Sequence, residues 1–262
     1  MTKIRWSKLK IIFRMCNHKS QIKSVDFLSD YYSVSYSELM AEIYGGPRYH
    51  ENAFDFLPGP VVTAGKPNEL QLFHWGLVPW WVKTEADGFR LRPGTVNCKS
   101  EEMYSDDKPS FRDAAKNNQR CLIPATSYQE WRWMDPKGKT KIPYNIRLKD
   151  QEVFSIAGLY SRWKNKTNDE YFYSYTVLTT IANPFMEKIH NNGKRMPVII
   201  PREYEKDWLN QSLTKDDVLA FCQPFPPEKM EAYTISKLIT SRKEDTNVPA
   251  VLDPQAYSEV VD

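Results

Sequence analysis

The chain has 262 residues, 41% of them hydrophobic and 26% charged; it is long enough to bury a substantial core, and its composition excludes wholesale disorder. Its 36 basic and 33 acidic residues leave a net charge of +3, too mild to identify a nucleic-acid partner by bulk charge. No apolar run approaches the ~20 residues that span a bilayer. In chain order, residues 20–44 read as two helical pieces. Ser35-x-x-Glu38 offers a capping box for the second, and Gly45-Gly46-Pro47 stops it. From Val61 to Ile235 short strands separated by turn residues dominate. Leu70, Leu72 and His74 alternate, as do Tyr144, Ile146 and Leu148, while Val153–Tyr160 and Tyr171–Thr180 are β-rich. One helix begins near Pro109, and a second takes Asn183 as N-cap, Pro184 at its first position and Ile189 at its end. A late helical block covers Pro201–Gln211 and Thr214–Phe221, the latter with a Thr214-x-x-Asp217 cap. Strands without regular helix alternation argue against a doubly wound sheet. The expected fold is α+β, a single domain built on a curved, barrel-like antiparallel sheet with peripheral helices.

The cysteines Cys16, Cys98, Cys121 and Cys222 form no C-x-x-C pair, which excludes zinc-ribbon and thioredoxin-like spacing and points to reduced thiols in a cytosolic protein. Residues Lys3 to Arg14 are basic, and Lys8 and Lys10 interrupt their apolar part, so they do not read as a signal peptide. Residues 1–15 are expected to be an extension, either a mis-assigned start or a removable segment. The domain is expected at 16–241, with a C-terminal tail at 242–262.

Four segments carry chemical potential. Trp75-Gly76-Leu77-Val78-Pro79-Trp80-Trp81 is either core aromatics ending a strand or a stacking platform for unpaired bases. Asn97 and Lys99 lie two apart, so an extended strand sets an amide and a cation side by side. Glu130 is bracketed by Tyr128, Trp131 and Trp133; desolvation there suits a carboxyl to proton transfer, and an exposed strand glutamate is the bland rival. His190 falls at a helix end before the basic turn Gly193-Lys194-Arg195, where a loop histidine is more often structural than catalytic.

Together these segments resemble one family. Trp75 to Trp81, Asn97-x-Lys99-x-Glu101, Cys121-Leu122-Ile123-Pro124 leading to Glu130-Trp131, Ala157-Gly158-Leu159-Tyr160, Thr179-Thr180, and His190 with Arg195-Met196-Pro197 follow its order. The chain is similar over roughly Met15 to Ser241 to the SOS response-associated peptidases, the abasic-site processing proteins. The resemblance implies a groove for single-stranded DNA containing abasic sites, in the DNA damage response. It also implies a covalent reaction of an N-terminal cysteine with the ring-opened aldehyde of an abasic deoxyribose.

Met15-Cys16 is the only Met-Cys pair. By resemblance, the free α-amine of Cys16 condenses with the aldehyde and its thiolate then closes a thiazolidine, with associated peptidase-type self-processing. Glu130 and His190 are implied as the proton-handling pair, with Asn97 positioning the sugar or the N-terminus. Lys99, Lys194 and Arg195 are implied as phosphate contacts, with Trp75, Trp131 and Thr179 completing the DNA-binding set. Asn17-His18 stands where the family usually has Gly-Arg, and Lys99 stands where arginine is commoner, losing a bidentate fork. A cysteine hydrolase acting on proteins through Cys16 and His190 is a second reading, and a non-catalytic single-stranded-DNA-binding module a third. Cys16-x-His18 supplies two metal ligands with no second cluster, so neither metal nor cofactor is expected. A cytoplasmic, nucleoid-associated monomer without membrane contact is the remaining expectation.

Overall fold

Tyr171–Ile181, an 11-residue run of aromatic and β-branched side chains, is the strand on which the sheet turns back on itself. The structure is a computed structural model and describes residues 16–260, so the expectations for 1–15 and the last two residues of the tail lie outside the described residues. Its strands are β1 (His18–Gln21), β2 (Arg48–Asn52), β3 (Pro58–Thr63), β4 (Lys66–Trp75), β5 (Asn97–Lys99), β6 (Arg120–Ala125) and β7 (Ser127–Trp133). They continue with β8 (Lys141–Leu148), β9 (Phe154–Lys164), β10 (Tyr171–Ile181), β11 (Arg195–Pro197), β12 (Ile199–Ile200) and β13 (Met230–Thr234). The helices are α1 (Val25–Tyr32), α2 (Glu38–Tyr44), α3 (Glu85–Leu91), α4 (Pro109–Lys116), α5 (Pro184–Ile189), α6 (Glu205–Trp208) and α7 (Lys215–Phe221).

One sheet runs β11-β10-β4-β3-β6-β9-β12, and a further pairing of β9 with β10 closes β10, β4, β3, β6 and β9 into a ring. Closure removes the open edges a flat sheet of these strands would expose. The expectation of an α+β domain around a barrel-like sheet therefore holds. Its antiparallel character is interrupted, because β10 pairs parallel with β4 through Ser174 and Tyr175 and with β5 through Val177 to Thr179. Gly158 on β9 makes the close approach to β10: a Cβ there would lie 2.7 Å from the Thr176 carbonyl oxygen and 2.7 Å from Ile123 Cδ1.

A second, five-stranded sheet in the order β13-β8-β7-β1-β2 packs across the ring. Between them lies a core in which Phe73, Ile123, Ile156 and Tyr175 from the ring meet Tyr128, Ile142 and Ile146 from β7 and β8. The opposite face of the ring strands, with Leu70, Leu122 and Leu159, packs under helices through Leu28, Met40 and Trp208. The period-2 alternation thus sends neighbouring residues of β6, Leu122 and Ile123, into different cores.

Local signals place several elements. Asn183 caps α5 by accepting from the Met186 amide, with Pro184 in the first turn, and Thr214 and Asp217 form a reciprocal capping box on α7. The cap of α2 is Ser37, not Ser35; Ser35 is drawn into a parallel bridge with Glu69, and its carbonyl accepts from Leu70 N at 2.7 Å. The residues expected as a tail fold back on the five-stranded sheet: Ile235 bridges Pro254, and Val251 is fully buried beside Ile235 and Ile239. Among the described residues no helix is long and apolar enough to cross a membrane.

Candidate active site

β7 carries Tyr128 and Glu130 on one face, where the period of the strand sets the carboxylate just beyond the Tyr128 ring in the core. β1 pairs with β7 through Lys19 and Tyr128, so the residues leading into β1 pass directly over Glu130. The backbone nitrogen of Cys16 donates to Glu130 Oε1 at 2.8 Å, and Cys16 is 4% exposed. Its backbone stands at φ 57°, in the left-handed region that L side chains avoid. Burial raises the Cys16 thiol well above the ordinary range, and the Glu130 carboxylate, which accepts from the thiol, raises it further. The Arg195 charge works in the opposite direction.

His190 caps the C-terminal end of α5, its own amide donating to Met186 O at 2.7 Å. Its Nδ1 lies 3.0 Å from the Arg195 carbonyl and 3.8 Å from Glu130 Oε1. A carbonyl only accepts, so Nδ1 bears a proton, and in the neutral form of the ring Nε2 is the lone pair. Asn97 Nδ2 donates to Asn17 Oδ1 at 2.7 Å, tying β5 to the residue after Cys16. Cys16, Glu130, His190 and Asn97 thus converge from four separate stretches of chain.

Glu130, His190 and Asn17 line a cleft of about 920 Å³ together with His18, His50, Trp131, Trp133 and Thr246, and Cys16 is buried against Glu130 behind that wall. Lys139, Lys141, Lys237 and Arg242 line it beside the carboxylates Asp55, Glu130 and Glu244. Lys141 Nζ sits 4.5 Å over the Trp133 ring, so a cation and an aromatic face act as one surface. The four cations belong to the β7–β8 hairpin, the start of β8 and the segment after β13. Sequence reasoning missed them, and the one local signal was the turn Asp135-Pro136-Lys137-Gly138-Lys139 with its basic tip.

The other expected DNA contacts are placed differently. Trp131 lines the cleft, half-buried, its ring centroid 4.6 Å from that of His18 in a T-shaped contact. Trp75 does not: it follows Phe73 on the inward face of β4, is 3% exposed, donates from Nε1 to Val96 O at 2.8 Å and stacks on Tyr175. Of the two readings of that segment, the core reading holds for Trp75, while Trp80 and Trp81 project from the following loop. Thr179 is buried, and its carbonyl accepts from Arg195 Nη2 at 2.8 Å. Arg195 is itself buried and forms a bidentate pair with Glu101, Nη2 meeting Oε2 at 2.9 Å. Burial raises the Glu101 carboxyl, but the Arg195 hydrogen bonds, a backbone hydrogen bond and the Arg195 and Lys99 charges together hold it below its ordinary value. Arg195 therefore acts here as an internal anchor and a charge near Cys16, not as an exposed phosphate donor. Lys99 is exposed and bridges Glu102 at 2.8 Å, and Lys194 is exposed 4.0 Å from Glu187. Among the described residues no group of three His, Cys, Asp or Glu side chains is placed to hold a metal ion.

The site is thus a buried cysteine held against a glutamate and a histidine that line an aromatic and basic cleft, on an α+β scaffold with a closed ring of strands. The family model described as SOS response associated peptidase (SRAP) matches residues 15–242, and the chain belongs to that family. It is 41% identical over 187 residues to "Abasic site processing protein YoqW" of Bacillus subtilis, covering 71% of this chain and 78% of that one. It is 25% identical over 193 residues to "Abasic site processing protein HMCES" of Xenopus tropicalis, covering 68% and 55%. A solved protein structure from Bacteroides thetaiotaomicron superposes with a TM-score of 0.83 at 36% identity, covering 92% of this chain and all of that one.

Proposed function

We propose that this protein processes abasic sites in single-stranded DNA by linking itself to them covalently through Cys16. The observation that carries the reading is the position of the Cys16 nitrogen, 2.8 Å from Glu130 Oε1 at the floor of the cleft. In a chain cut before Cys16 that nitrogen is an α-amine, and Glu130 takes its proton. The amine adds to the C1′ aldehyde of the ring-opened sugar, and loss of one water leaves an imine. The thiol then adds across the C=N bond: sulfur bonds to carbon, the S–H proton passes through Glu130 to nitrogen, and the product is a thiazolidine. The lone pair on His190 Nε2, with Nδ1–H fixed on the Arg195 carbonyl, is oriented to relay protons to the carbinolamine oxygen as it leaves as water.

A thiol raised by burial and by a carboxylate is a poor stand-alone nucleophile for peptide hydrolysis, and its partner is Glu130 rather than His190. The amine-first route suits it better, because the thiol attacks only after the imine is in place. The left-handed φ of Cys16 costs an L residue on the order of 1 kcal/mol, and a chain beginning at Cys16 has no such torsion. Release of residues 1–15, by trimming or by this same site, belongs to the proposal. The test is intact mass after incubation with an abasic single-stranded oligonucleotide. An adduct of the chain from Cys16 plus the oligonucleotide less one water, stable to boiling detergent without borohydride, is expected. An adduct that needs borohydride, or that persists in a Cys16→Ala protein, overturns the mechanism.

A further inference from the structure

His18 Nδ1 and His50 Nε2 share a hydrogen bond of 2.7 Å, and His50 Nδ1 lies 2.8 Å from Thr246 Oγ1. The two rings stack at 5.0 Å with 14° between their planes, and all three residues line the cleft next to Trp131. Thr246 lies beyond the family-matched residues 15–242, yet its segment is pinned in place. The neighbouring Asn247 accepts the Tyr49 amide at 2.8 Å, and Val251 is buried in the core behind β2. Nothing in the chemistry proposed above uses this chain of three side chains.

Burial lowers His18 to about 3 and His50 to about 4, so near neutral pH both rings are uncharged. A neutral imidazole has one donor and one acceptor nitrogen, and the bond between the rings holds a single proton. The tautomers are therefore coupled. When the Thr246 hydroxyl donates to His50 Nδ1, the His50 proton sits on Nε2 and is donated to His18 Nδ1, which places the His18 proton on Nε2. Among the described residues His18 Nε2 has no hydrogen-bond partner, and its ring forms part of the cleft wall. The cations Lys139, Lys141, Lys237 and Arg242 on the same wall suit a polyanion, and a phosphodiester oxygen can only accept.

We propose that Thr246 is a positioning residue which, through His50, holds His18 as its Nε2–H tautomer so that His18 donates to a phosphodiester oxygen of the strand in the cleft. This rests on the reading that the cleft takes single-stranded DNA, but not on the covalent step. The donor is directional and uncharged: it adds affinity without releasing a counterion, whereas an arginine at position 18 adds a step of ~0.7 to the salt slope.

The experiment uses Cys16→Ala protein, which has no thiol, and an undamaged single-stranded oligonucleotide, which has no aldehyde, so no covalent step can intervene. Long-range 15N–1H NMR of the free protein is expected to show a single His18 tautomer with the proton on Nε2. Thr246→Val should populate both tautomers and weaken binding about 3- to 10-fold with an unchanged salt slope, and Thr246→Ser should restore both readouts. A His18 proton on Nδ1 in the parent protein overturns the proposal even if Thr246→Val fails to fold. So does Thr246→Val binding at parental affinity, an affinity loss that Ser does not rescue, or an oligonucleotide that does not bind. Binding that depends on Thr246, in a protein whose Cys16 form makes no adduct, overturns only the covalent mechanism.

Discussion

Glu130 Oε1 stands 2.8 Å from the backbone nitrogen of Cys16 and accepts from the same residue's thiol, so one carboxylate meets both groups a cysteine needs to close a ring on an aldehyde. Its negative charge is also one of the two causes that raise the thiol most. Glu130→Gln keeps an acceptor but removes the charge, and the Cys16 thiol should titrate lower than in the parent while burial still holds it above an ordinary cysteine. Alkylation rate by iodoacetamide against pH reads this directly. An unchanged or higher alkylation midpoint contradicts the assigned contact.

Glu130→Gln and His190→Ala should each slow adduct formation by a factor on the order of 10²–10⁴, the range for losing a positioned acid–base group. Only the first should move the thiol midpoint, because His190 is engaged with Glu130 and the Arg195 carbonyl rather than with sulfur. Single-turnover rates with an abasic oligonucleotide, set beside melting temperatures, separate chemistry from folding. Normal rates in the folded fraction return both residues to a packing role.

Cys16→Ser separates the two bonds of the proposed reaction. A serine amine still condenses with the aldehyde, but its hydroxyl is a far weaker nucleophile toward the imine than a thiol. The variant should give an adduct that borohydride traps and that hot detergent destroys without it. An adduct as durable as the parent's removes the thiazolidine from the mechanism.

Arg195→Met tests whether that guanidinium anchors the fold or grips DNA. Its loss strips Glu101 of a bidentate partner and leaves the buried Thr179 carbonyl without its donor, which should cost roughly 1–3 kcal/mol. Removal of a positive charge that lowers the Cys16 thiol should also shift the thiol further up. Denaturant unfolding and the salt slope of reversible oligonucleotide binding check it together. Full stability with a slope reduced by ~0.7 assigns Arg195 to a phosphate instead.

Stability should fall as the solution is acidified through the histidine range. His18 and His50 are depressed from the ordinary 6.5 to about 3 and about 4 by burial, so the unfolded chain binds protons that the folded one refuses. Their stabilising contribution is complete above about pH 6.5 and is lost as pH falls toward the folded values, with a slope of up to ~1.4 kcal/mol per pH unit for each group. Urea unfolding between pH 7 and pH 4.5 should show this slope, and His50→Phe should flatten it. Equal slopes in both proteins place the acid sensitivity elsewhere.

Caps and turns were legible because their chemistry is complete within a few residues. Asn183-Pro184 and Thr214-x-x-Asp217 start helices where the sequence puts them, and Cys16, Asn97, Glu130 and His190, singled out by resemblance, come close together in space. Tertiary structure decided what depends on neighbours distant in the chain. Ser35 lost its cap to Ser37 because Glu69 claimed its backbone, and the ring includes a parallel pair joining His74 and Trp75 to Ser174 and Tyr175. Trp75 could have been a platform or a core residue, and its stacking on Tyr175 beneath that junction made it core. Arg195 turned inward because Glu101, almost a hundred residues away, meets it there. The basic wall and the His18–His50–Thr246 chain draw on strand ends and loops far apart in the chain, with no shared pattern in the sequence. A side chain's exposure, charge partner and tautomer are set by the groups that burial brings against it, and folding chooses those groups from across the whole chain.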